Sequence, residues 1–423
     1  MDLILRNARV ESKPGLVDIA VRDGRIASIS DASVGARAKV PANVPAAGER
    51  SAAQELDVGG RFVSPGLVET HLHLDKSCIL ERCVSREGTL AEAIAQVAAA
   101  KSAFTAADVR ARAARTLERA VLQGTTHMRT QLEVDPGIGL RGLDGVLPLL
   151  DEYRFAIDVE ICVFPQEGLT NNPGTEELLV ECLRCGAARV LGAAPYVDTD
   201  PHAQIDRVFA LARDFDVDID MHLDFTLDVA RMDVAYVCEA TRRNHYEGRV
   251  TIGHVSTLSA LPSATLGETA ARLRDAGVAV TVMPATDLFL MGRGRDHDVP
   301  RGVAPVHRLA QAGVNGSLST NNVLNPFTPF GDCSLMRMAN LYANACQVGD
   351  ATGISECYRM ITSRAADILK VADYGVAVGK AADLVVFDCE SAAQAVAEIA
   401  PPLWAFKRGR MTVSRAPAVL HRP

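Results

Sequence analysis

The chain lacks any apolar run long enough to cross a bilayer, which excludes a bundle of membrane-spanning helices. It also lacks a positive excess. Lys and Arg number 44 against 52 Asp and Glu, a formal net charge of −8. Neither nucleic acid nor an anionic membrane is therefore an expected partner. A second C-x-x-C is missing. Cys182 and Cys185, in ELLVECLRCGAARV, stand alone at the end of an amphipathic helical pattern, without a C-x-x-H to complete a zinc site. The ten cysteines follow no repeated spacing and read as reduced, often buried thiols. The N-terminal MDLILRNARV lacks the basic segment, long apolar core and small-residue cleavage site of a signal peptide, so the expected location is the cytoplasm. No repeat of solenoid type is visible.

What is present suits a large globular core. Of 423 residues, 48% are hydrophobic and 23% charged. From about residue 62 to 325, apolar β-type runs alternate with helical patterns such as TAADVRARAARTLERAVLQG and AQIDRVFALARDF. The runs end near His73, Gln131, Phe164, Ala194, His222, His254, Met283 and Ser319. Eight such alternations predict an α/β fold of the (β/α)8 TIM-barrel type over residues 61–370. Continuous runs such as DVEICVF fit strands buried on both faces. Both chain ends read instead as short strands: LILRNARV and DIAVRDGRIASIS at one end, DYGVAVGKAADLVVFD and LWAFKRGRMTV at the other. The Asp23-Gly24 pair is a hairpin signal. Residues 1–60 and 371–423 are therefore expected to form one small β-sandwich. The Ala-, Gly-, Pro- and Ser-rich residues 31–56 read as a loop.

Polar residues of one chemical kind gather at the predicted strand ends, where barrels of this type carry their active sites. His71 and His73 close the first strand as H-x-H, and i, i+2 side chains share a face. His222 and His254 end the fifth and sixth strands. Four of ten histidines at one mouth predict a divalent metal site, because neutral imidazole is a common ligand. Such an ion acidifies water for attack on C=N or C=O, with a proton carrier serving the leaving nitrogen. Gln166 follows the third strand in VFPQEG. His127 lies inside a strand run and reads as a packed, hydrogen-bonded histidine. Lys76 reads as a loop residue or a contact to a substrate anion, residues 77–90 as a lid, and Arg293 as a substrate contact or a surface arginine.

The words SPGLVETHLHLDKS, GTTHMRTQLEVD, FPQEG, DMHLD, GHVSTL, NPFTPFGD and ITSRAADILKVADYGVAVGKAADLVVFD together resemble the amidohydrolase superfamily. The resemblance is closest to its cytosine deaminase / N-isopropylammelide isopropylaminohydrolase branch and covers nearly the whole chain. It implies that His71, His73 and His222 hold one divalent ion, zinc or iron(II), with manganese the third option. It implies that His254 acts in catalysis and that Gln166 binds the ring of a small cyclic substrate, an amide being donor and acceptor at once.

Two positions depart from the pattern. The family's acid–base glutamate, three residues after the fifth-strand histidine, is Phe225, and its metal-binding aspartate is Asn321, in STNNV. Phe225, Asn321 and Asn322 are then expected to line the substrate pocket. Asp224 is the candidate to carry the proton instead, although strand alternation turns it to the other face unless the backbone bends. Asp198 and Asp287 are further candidates at the mouth, each with an ordinary role as a solvated loop carboxylate. Loss of one acid–base group typically costs about a hundred- to ten-thousand-fold in rate. The readings are thus a C–N hydrolase with a relocated proton carrier or an altered substrate, or a non-catalytic binder of a small heterocycle. Its partner is a small molecule, with homo-oligomerisation left open.

Overall fold

The computed structural model describes residues 1–32 and 54–421, so most of the loop expected over 31–56 lies outside the described residues. In chain order the strands are β1 (Leu3–Val10), β2 (Lys13–Arg22), β3 (Arg25–Asp31), β4 (Gln54–Asp57), β5 (Phe62–Pro65), β6 (Leu67–Leu72), β7 (Thr125–Glu133) and β8 (Asp158–Phe164). They continue as β9 (Val190–Ala193), β10 (Asp218–Leu223), β11 (Val250–His254), β12 (Val278–Val282), β13 (Gly316–Leu318), β14 (Leu384–Phe387), β15 (Pro402–Lys407) and β16 (Arg410–Ser414).

Strands β6 to β13 pair in parallel and in chain order, each ending within two residues of the position expected from sequence. The ring closes at its C-terminal rim. Asn321 N donates to His71 O (3.0 Å) and His73 N donates to Asn321 O (2.9 Å). Helices cover the outside, as their periodicity requires. Helix Ala106–Leu122 buries Val109, Ala113, Leu117 and Ala120 against the barrel, and Thr105 caps it by accepting from Asp108 N. No helix among the described residues is long and apolar enough to cross a membrane.

Both chain ends join in the second sheet, ordered β16-β15-β14-β5-β1-β2-β3 with β4 beside β1. Its core includes Leu3, Leu5, Val17, Ile19, Leu384 and Phe406. The expected hairpin forms between β2 and β3, with Asp23 and Gly24 both at positive φ (52° and 74°), the twist that suits tight hairpins. β4 corrects the end of the loop expected over residues 31–56: Gln54–Asp57 pairs in parallel with β1. Four residues give too little periodicity to register as a strand.

The stretch from Phe62 to His73 reads as one apolar run in the sequence. It is two strands in two sheets, for β5 pairs with β14 while β6 opens the barrel. Gly66 lies between them, where a Cβ would sit 2.1 Å from Thr126 Oγ1. The two units are also joined by Lys407 of β15, which is buried beneath the barrel. Its Nζ donates to Thr126 O (3.0 Å) and Asp383 Oδ2 (2.7 Å), and pairs with Asp158 Oδ2 (2.7 Å).

Candidate active site

Three imidazoles meet at the C-terminal mouth. His71 lies on β6, His73 directly after it, and His222 on β10. A bulge sets their aim: Glu69 is level with Met128 and Leu72 with Thr130, so β6 takes three steps where β7 takes two. Nε2 of His222 is 3.0 Å from Nε2 of His71 and 3.1 Å from Nε2 of His73. His73 Nδ1 lies 3.1 Å from Gln131 O, and a carbonyl only accepts, so Nδ1 carries the hydrogen and Nε2 keeps its lone pair. Burial, and then Lys76 and the neighbouring rings, push His73 well below the usual histidine range. Burial, then His71 and His254, do the same to His222. Both rings are neutral at pH 7. Nitrogens this close around one point fit a single ion with bonds of about 2.0–2.1 Å.

Unpaired buried groups surround the same point. Both side-chain atoms of Asn321 and of Gln131, Nε2 of Gln166, Nδ1 of His71 and Oδ1 of Asp220 have no hydrogen-bond partner. Buried polar atoms left unmatched are costly, so a cluster of them marks where a ligand's own groups would pair. Asp220 Oδ1 is 3.8 Å from His71 Nδ1, while its other oxygen accepts from Arg129 Nη1 (3.0 Å). A carboxylate behind a ligating imidazole orients the ring and raises its basicity.

His254 is turned by a residue expected to be a loop carboxylate. Its Nδ1 lies 2.7 Å from Asp287 Oδ1, within hydrogen-bond distance. Asp287 is fully buried, and burial holds its carboxyl well above the usual range. Burial, then His71 and Lys76, push His254 well below its usual range. Phe225 stacks on the His254 ring, with centroids 3.7 Å apart and planes at 20°. Its outer side helps to line a cavity of about 510 Å³ with Leu90, Ile94 and Tyr196.

Other expectations meet different outcomes. Asp224 is bent, with φ of 49°, but its carboxylate caps helix Val234–Arg243 by accepting from Asp233 N (2.9 Å) and Val234 N (3.2 Å). Burial raises that carboxyl to about 7, and Asp224 lines the same cavity as Phe225. Asn322 Oδ1 accepts from Asn325 Nδ2 (2.6 Å), which holds the loop. Asp198 ties loops together through Leu169 N, Thr170 N and Gln204 Nε2. Lys76 lies in the turn after β6, as expected of a loop residue, but is buried and pairs with Glu133 Oε1 (2.7 Å) and Gln166 Oε1 (3.1 Å). Residues 77–90 are tied to the rim by Cys78 N→Val323 O and Ile79 N→Leu324 O, and by Glu92, which accepts from Arg86, Glu87 and Gly88 N–H. Arg293 is an exposed residue over Phe289. His127 is packed below the site, within hydrogen-bond reach of Thr126 Oγ1 and Lys407 Nζ.

Sequence reasoning missed Asp220 and Glu133 as site residues. Strand alternation offered a signal for both, since each lies two residues from a polar residue already noted, His222 or Gln131.

The chain is similar to known proteins over its whole length. A model of the amidohydrolase family matches residues 153–415. N-isopropylammelide isopropyl amidohydrolase of Pseudomonas sp. (strain ADP) is 29% identical over 420 residues, 97% of each chain. The pterin deaminase of Rhizobium rhizogenes is 28% identical over 89% of this chain and 83% of its own. Among solved structures, 5-methylcytosine deaminase from Klebsiella pneumoniae, liganded with 5-fluorocytosine, superposes with a TM-score of 0.90 at 26% identity over 100% of both chains. N-isopropylammelide isopropylaminohydrolase from Burkholderia multivorans gives 0.82 at 25% identity over 97% of this chain and 98% of its own. The chain therefore belongs to the amidohydrolase family, in the branch of these aminohydrolases and cytosine deaminases, and is a hydrolase of carbon–nitrogen bonds other than peptide bonds.

Proposed function

We propose that the protein hydrolyses the bond between a ring carbon and an exocyclic nitrogen of a small cyclic nitrogenous substrate. His71, His73 and His222 would hold one divalent ion, zinc or iron(II), with manganese as the third option. The carrying observation is the convergence of their Nε2 atoms at 3.0–3.1 Å. A divalent ion there supplies Lewis acidity, bringing the pKa of water towards neutrality.

The protein's own residues do the rest. Ionised Asp287 would hold the hydrogen on His254 Nδ1, leaving Nε2 as base. His254 Nε2 takes the proton from the attacking water and returns it to the leaving nitrogen, the task of the absent glutamate. The buried Asp287 beside it supports the imidazolium formed in between. Gln166 Nε2 and Asn321, both lacking protein partners, bind the ring. Phe225 makes one wall apolar, which suits a ligand bulkier and less polar than cytosine.

The test is metal analysis with amine release from substituted amino-triazines and pyrimidines. About one equivalent of tightly held ion is expected, and Asp287→Asn should cut kcat about a hundredfold or more while retaining the ion. Retention of full activity by Asp287→Asn would remove the proposed proton carrier. Phe225 and Asn321 also favour a second reading, a binder that does not turn over. Ligand binding with no amine release from any of these rings would select it.

A further inference from the structure

The residues proposed to hold the ion and the ring are shut away. None of His71, His73, His222, His254, Gln166 and Asn321 is more than 2% exposed. None of them lines the cavity of about 510 Å³ beside Phe225, whereas Ala91 and Arg231, which do line it, are exposed to solvent. A substrate can therefore reach the imidazoles only if part of the wall between them and the cavity moves.

Two aromatic rings stand in that wall. Phe225 has one face on the His254 ring, with centroids 3.7 Å apart, and its outer side on the cavity. Tyr196 meets Phe225 edge-on, with centroids 6.2 Å apart and planes at 76°, and its phenol lies against the Gln166 amide. The pair thus reaches from His254 to Gln166. Phe225 is the freer of the two. Its side chain has no polar atom, so turning the ring breaks no hydrogen bond. The cavity beside it gives the ring space to turn into. Residues 77–90 offer the rival route, and they are tied down. Cys78 N and Ile79 N donate to the rim, while Glu92 accepts from Ser85 Oγ and from the N–H groups of Arg86, Glu87 and Gly88.

We propose that Phe225 is the gate of the proposed catalytic centre. Its ring turns outward into the cavity to admit a flat heterocycle, with Tyr196 as the fixed post, and returns over His254 to exclude water. The proposal rests on His71, His73 and His222 as ligands of one ion.

A gate changes the barrier to entry and leaves both end states alone. Association and dissociation rates then change by one factor, and the dissociation constant stays where it was. The probe is 1,2,4-triazole, a flat ring whose nitrogen binds metal. It is mixed by stopped flow with the full-length, cobalt(II)-loaded protein and followed by the visible absorption of the ion. Metal content and melting temperature are recorded for every variant. Phe225→Ala should raise both rate constants at least about tenfold, with the dissociation constant within about threefold of the parent value. Phe225→Leu, which keeps more of the packing, should raise both by a smaller common factor. Glu92→Ala, which releases residues 77–90, should leave both within about twofold. Unchanged rates in both Phe225 variants, or a larger acceleration in Glu92→Ala, overturn the gate and leave the metal site intact. Faster dissociation alone, with weaker binding, also overturns it, because Phe225 then acts as a ligand contact. A protein that takes up no cobalt overturns the metal reading as well.

Discussion

His222 ends a strand, is buried, and sends Nε2 to within 3.1 Å of two other imidazoles. His222→Ala should therefore lose the metal, and unchanged metal content by atomic emission would break the ligand assignment. Two residues away, Asp224 was legible as a mouth carboxylate, yet its oxygens belong to a helix N-terminus. Spacing shows that a residue is near the mouth; only the backbone angle shows which donors it meets. Phe225, which the family resemblance places at the acid–base glutamate's position, stacks on His254 at 3.7 Å. We expect no appreciable ammonia release from cytosine, and fast release would show that Phe225 does not set the substrate range.

At the scale of elements, β5 and β6 depend on Gly66. A Cβ there would overlap Thr126 Oγ1 at 2.1 Å, and that neighbour belongs to the barrel's second strand. Gly66→Ala should destabilise the protein by at least about 1–3 kcal/mol, as overpacking of a tight contact does, read from the urea midpoint. The glycine was visible in the sequence, but its reason was not, because the residue it meets is sixty positions away. The bulge in β6 was equally hidden. Alternation correctly put both H-x-H imidazoles on one face, while the extra residue that aims them is a property of pairing with β7.

Across the whole molecule, buried charge joins units that are distant in sequence. Lys407, from the last thirty residues, neutralises Asp383 and Asp158 under the barrel. Lys407→Met should destabilise by about 3–5 kcal/mol, the usual cost of stranding a buried partner, and Lys407→Met with Asp383→Asn should recover part of it in thermal unfolding. Near the mouth, Lys101 meets three carboxylates, Glu133, Asp135 and Glu167. Burial first, then Asp135 and Glu133, push Glu167 up to about 8 from its ordinary 4.5. A raised carboxyl contributes stability that is full below its unfolded value and is lost as pH rises through its folded value. Melting temperature should thus fall between about pH 5 and 8 from this group, and Glu167→Gln should flatten that fall. An unchanged slope in the variant would place the proton elsewhere.

The sequence by itself determined the barrel, its strand ends, the terminal β unit and the three imidazoles, because hydrophobic period and strand-end position are local properties. Only the tertiary structure decided which carboxylate meets which histidine, that Asp287 reaches the His254 ring while Asp224 meets a helix N-terminus, and that Lys76 takes the Gln166 amide oxygen. Those facts depend on side chains from different strands meeting in a dry interior. There each buried donor must find its acceptor, and no spacing along the chain records that match.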